Sequence, residues 1–551
     1  MPVLTAIDVL GIQSYIFASN RLRDVVGASH LVEWVTSRNG GLCFDNDAIP
    51  TPEIVVAAGG NAILRFSTTD DAKKFVLYYS RRLLEEAPEL DVAIAHRPYE
   101  DGQLARGLLA LQVELAKAKL NRRPHAPQLG LGVMQPCVVT GLPASSVGNV
   151  EKEWVSSRIA RIRDKGIVNR AVARWQPLLP GDVDGCKVRF PDVIDQMGRS
   201  RGDTSLVGVV HIDGNGIGRR IQRWLVSKLE DTPVTDESLM GEYRRWSEAL
   251  KSLGEAVLRA VVSRLTGRIK YDQKERGFFV RGQPAPPRQL DFDLKTDSDG
   301  TILLPLRPIL LGGDDITFVC DGRIALDLAT TALRAFQSES ASYSDLKLLG
   351  HDPATACAGV ALVKAHAPFN RSYELCEELC ATAKREREAN YDSRSWIDWH
   401  VGSARPGEAV PEIRKREYQG RKLTCRPYPL DGDDSQRLTW EWLDSALLGE
   451  STEDGASRLS LRNPEVWGER RNKVKALASL VGDGGDAVRE QLEAWSSVAP
   501  DLRLPSPIQE DGFKGDRTPL LDAVELLDIH LRLNAPEPAR EVEADAGEAL
   551  V

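Results

Sequence analysis

A long, divergent internal repeat constrains the fold of this chain more than any other feature. The run LTAIDVL at residues 4–10, followed by GIQSYI, has a counterpart in SLVGVVHID at 205–213, followed by GNGIGRRI. Each is an apolar run with an aspartate near its end, Asp8 or Asp213, and with Gly-Ile and an amphipathic stretch behind it. Further along, IVVAAGGNAILRFSTTDDAKKF (54–75) parallels RPILLGGDDITFVCDGRIALDL (307–328). Two apolar, β-branched runs around a short Gly-Gly turn predict a hairpin, and the Ala- and Leu-rich pattern behind them predicts a helix. Each copy closes with another strand-like run, DVAIAH (91–96) or TACAGVALV (355–363), and another helix. That order, β-α-β-β-α-β, is the ferredoxin-like unit. The expected fold class is therefore α+β, with two such units in one chain.

A length of 551 residues suggests three or four domains. Residues 1–124 hold the first unit, 125–200 an intervening segment, and 201–430 the second unit. Residues 431–535, with LTWEWLDSALLG, RRNKVKALASLVG and AVREQLEAWSSVA, have helical periodicity, and 536–551 form an acidic, disorder-prone tail. The basic run SSRIARIRDKGIVNRAVARW within 151–175 reads as a solvated helix face or as a phosphate contact. Residues 281–300 are rich in proline and read as a surface excursion, and 403–437 as irregular. Lys plus Arg is 71 against 80 Asp plus Glu, a net charge of −9, which argues against a surface that binds nucleic acid everywhere but leaves room for a local basic groove. No secretory pattern opens the chain and no apolar run reaches membrane-spanning length. The eight cysteines include no CxxC pair, and Cys376 and Cys380, one helical turn apart, read as a reduced packing face. A cytoplasmic protein is expected.

The second hairpin carries the chemistry. Asp314 and Asp315 stand side by side in Gly312-Gly313-Asp314-Asp315, a costly juxtaposition unless a cation is near. Asp213 ends the strand expected to neighbour this hairpin. Three carboxylates converging at a strand edge suit Mg²⁺ or Mn²⁺ in a two-metal site, and such ions activate a ribose 3′-hydroxyl and stabilise a leaving pyrophosphate. Gly312 and Gly313 allow the tight turn and close approach of a triphosphate. Asn215, Gly216, Ile217 and Gly218 precede a helical pattern whose first N–H groups can cradle phosphate. Lys384 reads either as a triphosphate contact or as a lysine favoured by the helix dipole. His211, two residues before Asp213, shares its strand face and reads mainly as a packed strand histidine. The first copy keeps the turn as Gly59-Gly60-Asn61-Ala62 but only Asp8 among its acids, so it reads as non-catalytic, structural or nucleotide-holding. Gly482–Asp486 and Gly432–Asp434 lack β-branched flanks and read as ordinary turns, and His351-Asp352 reads as a turn before a strand.

These segments resemble the large, two-palm polymerase/cyclase subunit of type III CRISPR effectors, the Csm/Cmr large subunit. The resemblance covers about 1–430 and rests on AIDVLGIQSYIFASNRLRDVVGASHLV, HIDGNGIG, LLGGDDITFVC, CAGVALVKAHAPFNRSYELCEELCATAK and RKLTCRPYPLD. It implies that the second palm joins ATP into cyclic oligoadenylate, an antiviral second messenger, when target RNA is bound. It also implies that Asp213, Asp314 and Asp315 hold the metals, while Asn215 to Gly218 and Lys384 hold triphosphate. Two departures stand out. An N-terminal HD nuclease domain is not expected, since the first palm begins at residue 4. The zinc-binding cysteines usual between the palms are reduced to CVVTG at 137–141, with Thr140 in place of a second ligand. Guide or target RNA and other effector subunits are the implied partners. Two other readings stay open: a scaffold subunit of a guide-RNA complex without turnover, and a mononucleotide or cyclic-dinucleotide cyclase.

Overall fold

The computed structural model describes residues 1–121, 131–148, 152–197, 205–230, 235–282, 291–347, 353–405, 407–449, 458–468 and 470–533. The stretch 536–551 and the pair His351-Asp352 lie outside the described residues. The protein is α+β, and each of its two larger sheets is built around the opening strand of one copy of the repeat.

In the first sheet, β1 (Val3–Leu10), β2 (Glu53–Ala58), β3 (Asn61–Phe66) and β4 (Asp91–Pro98) pair antiparallel in the order β2-β3-β1-β4. Every residue of β1 from Val3 to Val9 is buried, because both faces of this strand are covered, which is why the run is apolar without alternation. Helices α1 (Ile12–Ile16) and α2 (Leu22–Val35) follow β1, α3 (Thr69–Glu86) joins β3 to β4, and α4 (Leu104–Asn121) follows β4. Local chemistry starts α3: the Thr68 hydroxyl accepts the Asp71 N–H, and Asp70 and Asp71 occupy the positive end of the helix. Ala72, Phe75, Tyr79 and Leu83 then form its single buried stripe.

The intervening segment contains the hairpin β5 (Ser146–Val147) and β6 (Trp154–Val155), then α5 (Ser157–Ile162), α6 (Lys165–Trp175) and β7 (Val188–Arg189). Its basic run corrects the expectation of a solvated or phosphate-facing surface. Arg163 grips the buried Asp24 carboxylate with two bonds of 2.8 and 2.7 Å, Arg174 lies 2.6 Å from Glu33, and Arg161 pairs with Glu86. Buried Arg158 donates to the Tyr15 carbonyl. Guanidinium forks suit such pairings, and here they clamp α5 and α6 onto the first unit through acidic partners far back in the chain. Cys137, in the segment read as a zinc remnant, is buried and hydrogen bonds with Thr140.

The second sheet runs β13 (Leu306–Leu311), β14 (Ile316–Asp321), β8 (Leu206–Gly214), β15 (Ala356–Lys364), β16 (Trp396–Val401) and β17 (Tyr428–Pro429). Its first four strands repeat the antiparallel order of the first sheet; β16 then joins parallel to β15, and β17 antiparallel to β16. Helices α7 (Ile217–Glu230) and α8 (Asp236–Thr266) follow β8, α9 (Ala325–Ser342) and α10 (Ser344–Lys347) lead from β14 to β15, and α11 (Phe369–Ala389) joins β15 to β16. Residues 281–300 are more than a surface excursion. They contain β11 (Phe292–Leu294), which pairs with β10 (Gly277–Val280) and through it with β9 (Ile269–Asp272), burying Phe292 and Leu294. Nearby, β12 (Ile302–Leu303) pairs parallel with β7. Residues 403–437 are not wholly irregular either, since they hold α12 (Val410–Glu417) and β17, and Arg414 of α12 pairs with the fully buried Asp398 of β16. Strands of two or three residues are too short for alternation to reveal them.

Helix α11 lies directly on β15 at Gly359, where a Cβ would sit 2.0 Å from the Cys376 carbonyl oxygen and 2.6 Å from the Cys380 amide nitrogen. Only a residue without a Cβ admits that approach. Gly359→Ala is expected to lift α11 and cost about 1–3 kcal/mol, the usual scale of core overpacking. Urea titration measures the loss, and faster labelling of the buried thiols Cys376 and Cys380 by a thiol reagent locates it.

At the C-terminal end, α13 (Trp440–Trp442), α14 (Arg471–Leu480), α15 (Gly485–Ser496) and α16 (Leu520–Leu526) share one continuous apolar core with the second sheet. The turns Gly432–Asp434 and Gly482–Asp486 fall after β17 and between α14 and α15. All eight cysteines are free thiols. Among the described residues, no helix is long and apolar enough to cross a membrane.

The two copies meet with their roles exchanged: α2 packs on β13, and α8 packs on β2. At the centre of this contact the two Gly-Gly turns touch. Gly59, at φ 60°, leaves no room for a side chain, because a Cβ there would lie 2.8 Å from the Gly312 carbonyl oxygen.

Candidate functional site

The turn joining β13 to β14 is closed by the Gly312 N–H donating to the Asp315 carbonyl at 2.8 Å, with Gly313 at φ 94°. Ile316 pairs with Ile212, a register that sets Asp315 opposite Asp213 at the end of β8. On the other side of β8, Cys357 of β15 pairs with Asp213. The two sheet neighbours of β8 thus bring Asp213 and the paired aspartates to one edge. Burial and the charges of Asp213 and Asp315 push the Asp314 carboxyl up to about 7. Burial and the charges of Asp213 and Glu377 likewise push Asp315 up to about 7, against the pull of Lys384.

Lys384 reaches this edge from α11. Its Nζ lies 2.5 Å from Asp213 Oδ2 and donates to the Gly214 carbonyl at 3.1 Å. Burial pulls the ammonium pKa down, but Asp213 more than offsets that and raises it. The three carboxylates share one edge but are not arranged as a ready metal-holding group: among the described residues, no three His, Cys, Asp or Glu side chains gather in that way, and Asp213 faces the ammonium instead. Like charges favour separation, and Asp213 satisfies one oxygen on an ammonium instead. The donor set nevertheless suits a hard divalent cation. Asp315 Oδ1 is buried without a hydrogen-bond partner among the described residues, and carboxyls held near 7 give up their protons readily to a competing cation.

His211 packs beside the site, as its strand face required. Its Nδ1 lies 3.3 Å from Asp315 Oδ1, 3.2 Å from Thr317 Oγ1 and 3.5 Å from the Tyr373 hydroxyl. Burial lowers the His211 pKa, so the ring is neutral at physiological pH. Tyr373 stacks on Phe17 of the first unit with ring centroids 4.3 Å apart, so the first copy of the repeat contributes to the surroundings of the second copy's carboxylates. Tyr373 and Glu377 were not singled out in the sequence, yet they precede Lys384 by eleven and seven residues. That spacing places all three on one face of a helix, a stripe that could have been found by counting back from the lysine.

The predicted phosphate cradle is only partly available. The Asn215 side chain donates to Thr355 Oγ1 at 3.0 Å and accepts from Cys357 Sγ at 3.3 Å, while its N–H donates to the Thr355 carbonyl at 2.8 Å. Asn215 therefore tethers β8 to β15. Gly216 turns the chain at φ 69°, Ile217 opens α7, and open space surrounds the α-carbon of Gly218. The first copy shows a reduced version of the same geometry. Asp8 stands opposite Asn61 and pairs with Lys119 of α4, the helix in the position that α11 occupies in the second copy. The Asp–Lys pair recurs in both copies, and the turn carboxylates occur in one.

No family model and no curated protein matches the chain. Solved structures do. The crystal structure of a Csm1–Csm4 cassette in complex with pppApA contains a chain 15% identical to this one, with a TM-score of 0.50, and the match covers 96% of this chain and 69% of that chain. The crystal structure of Csm1 in T. onnurineus is 15% identical with a TM-score of 0.46, over the same shares. The chain shares the fold of the first of these.

Proposed function

We propose that this protein is a metal-dependent nucleotidyltransferase of the GGDD palm type that joins ATP into cyclic oligoadenylate for antiviral defence. In this reading residues 201–430 form the catalytic palm and 1–124 a degenerate partner palm, both ferredoxin-like. The observation that carries it is the pair of half-buried carboxyls, Asp314 and Asp315, at a hairpin tip opposite Asp213, with carboxyls held near 7 and one buried Asp315 oxygen without a hydrogen-bond partner among the described residues. A purely structural turn gains nothing from such crowding. Asp213, Asp314 and Asp315 would hold Mg²⁺ or Mn²⁺, which when bound neutralise phosphate charge and acidify a hydroxyl. The chain's own groups do the rest. Gly216, Ile217 and Gly218 present backbone N–H groups at the start of α7 for phosphate oxygens. Gly312 and Gly313 let the nucleotide approach the turn, and Lys384 adds positive charge beside Asp213. These groups place a 3′-hydroxyl in line with an α-phosphate and stabilise the charge that develops there. Adenine is chosen because the neighbour of matching fold was solved with pppApA. The same neighbour's Csm4 partner supports assembly with other type III effector subunits, and the sequence resemblance adds guide and target RNA as proposed partners.

A scaffold subunit without turnover is the second reading, and the Lys384–Asp213 pair favours it, since an ammonium already occupies one carboxylate. Incubating the purified chain with each NTP and Mn²⁺ or Mg²⁺, with and without partner subunits and target RNA, and identifying products by mass spectrometry decides between them. Cyclic oligoadenylate is the expected product. A cyclic mononucleotide or dinucleotide would change the reaction assigned, and no product in the full assembly would leave the scaffold reading standing.

A further inference from the structure

A chain of side chains runs from the first copy of the repeat to the carboxylate edge of the second. It starts in the segment that follows β1. Phe17 stacks on Tyr373 with ring centroids 4.3 Å apart and planes 19° apart, and the Gln13 side chain hydrogen bonds with the Tyr373 hydroxyl. One helical turn earlier on α11, the Phe369 N–H donates to Asn20 Oδ1 at 3.0 Å. The first copy thus grips the N-terminal half of α11, while Lys384 in the other half meets Asp213. Tyr373 is only 1% exposed, so its hydroxyl depends on these partners for its hydrogen bonds.

The next link is His211. Three oxygens stand around its Nδ1: Thr317 Oγ1 at 3.2 Å, Asp315 Oδ1 at 3.3 Å and the Tyr373 hydroxyl at 3.5 Å. A neutral imidazole carries one N–H, so Nδ1 either donates to one of these oxygens or accepts. With Gln13 donating to the Tyr373 oxygen, the Tyr373 O–H is the donor toward Nδ1. A nitrogen that accepts from Tyr373 has no proton to give Asp315. Asp315 Oδ1 fits that arrangement: it is buried and has no hydrogen-bond partner among the described residues, although Nδ1 is so near. An unpaired buried oxygen is costly, and a turn with no ligand to hold would lose that cost by a change of tautomer at His211.

We propose that Tyr373 is a positioning residue: held by Gln13 and Phe17 of the first copy, it keeps His211 Nδ1 as an acceptor and so leaves Asp315 Oδ1 open to a divalent cation. The proposal rests on the reading of Asp315 as a cation ligand. It adds that the first copy, which lacks turn carboxylates of its own, sets the cation affinity of the second.

Mn²⁺ titration of the full chain without nucleotide, followed by the electron paramagnetic resonance of the free ion, tests this. Tyr373→Phe keeps the ring on Phe17 and removes only the hydroxyl, which frees Nδ1 to carry the proton and donate to Asp315. Mn²⁺ binding is expected to weaken about tenfold, the scale for residues that orient metal ligands, without a lower melting temperature in EDTA. Gln13→Met is expected to weaken binding a few-fold, the scale of one neutral hydrogen bond, and to add nothing on top of Tyr373→Phe, through which it acts. In ¹⁵N NMR of the histidine-labelled chain, with the His211 signals assigned by their loss in His211→Gln, the proton is expected on Nε2 in the unaltered chain and on Nδ1 in Tyr373→Phe. A proton on Nδ1 in the unaltered chain overturns the proposal. So does a Tyr373→Phe variant that binds Mn²⁺ as tightly as the unaltered chain, whatever its melting temperature, because a packing role needs only the ring. Unchanged affinity in Gln13→Met, or a loss that adds to that of Tyr373→Phe, overturns the link to the first copy. Failure of the underlying reading looks different: Mn²⁺ then fails to bind the unaltered chain, or binds equally well after Asp314→Asn with Asp315→Asn, and the proposal falls with it.

Discussion

Asp314→Asn with Asp315→Asn is expected to abolish nucleotide joining, by about 10³-fold or more as for groups that act as a unit, and at the same time to stabilise the metal-free protein at neutral pH. The second effect follows from the direction of the pKa shifts. Both carboxyls are raised from 3.8 to about 7 in the folded chain, by burial first and by neighbouring carboxylates next. Between about pH 4 and pH 7 the folded state therefore binds more protons than the unfolded state, and stability falls as pH rises through that window. Above it two half-buried anions, crowded by Asp213 and each other, oppose the folded state. Asparagine carries no charge, so the double variant loses this slope and gains most at pH 8. A divalent cation opposes the same penalty, so Mn²⁺ should raise the melting temperature of the unaltered chain more at pH 8 than at pH 6, where protons compete. The double variant should gain little from Mn²⁺ at either pH. Thermal denaturation from pH 5 to pH 8, in EDTA and in Mn²⁺, measures both. Matching pH profiles for the two proteins, with equal Mn²⁺ effects, would refute the assignment of these carboxyls as a cation site.

The parts of this site that were legible in the sequence are those carried by short-range pattern. Gly-Gly between two β-branched runs specifies a hairpin wherever it lies, and Asp213 could be placed beside it because the repeat supplies the strand order. What stayed hidden depends on contacts between residues far apart in the chain. The pairing of Lys384 with Asp213 rather than with a bound phosphate needs the separation of two side chains, which spacing does not provide. Asn215 looked like part of a phosphate loop, and its commitment to Thr355 emerges only once β15 lies alongside β8. The arginines of α5 and α6 looked solvated because Asp24, Glu33 and Glu86 are distant in sequence. Helix α4 illustrates the same limit from the other direction. Lys119 is unremarkable in a run of alternating Lys and Ala, and only superposing the two units of the repeat shows that it meets Asp8 as Lys384 meets Asp213.

Removing the Arg426 guanidinium should produce the largest loss of stability of any single substitution considered. Arg426 is 2% exposed, and it lies 3.0 Å from the fully buried Asp522 and 2.9 Å from Glu525. It also donates to the Trp399 carbonyl of β16 at 3.0 Å. Asp522 meanwhile accepts from the Thr424 hydroxyl at 2.6 Å, the Cys425 N–H at 2.9 Å and the Tyr428 hydroxyl at 2.7 Å. This network ties α16 to the outer strands of the sheet that carries the carboxylates. Exchanging such a pair for apolar residues can be nearly neutral, but deleting one partner strands the other as a buried charge, at about 3–5 kcal/mol. Arg426→Met is therefore expected to cost that much, whereas Arg426→Met with Asp522→Leu should recover part of it, limited by the three donors that Asp522 leaves behind. Urea titration of the single and double variants gives the energies. Hydrogen exchange shows where the damage falls: loss of protection in Trp396–Val401 together with Leu520–Leu526 would mean that the C-terminal helices and the second sheet unfold as one body. Loss confined to Leu520–Leu526 would mean that the helices dock on a sheet stable without them, so that the C-terminal segment could move without disturbing the carboxylate edge.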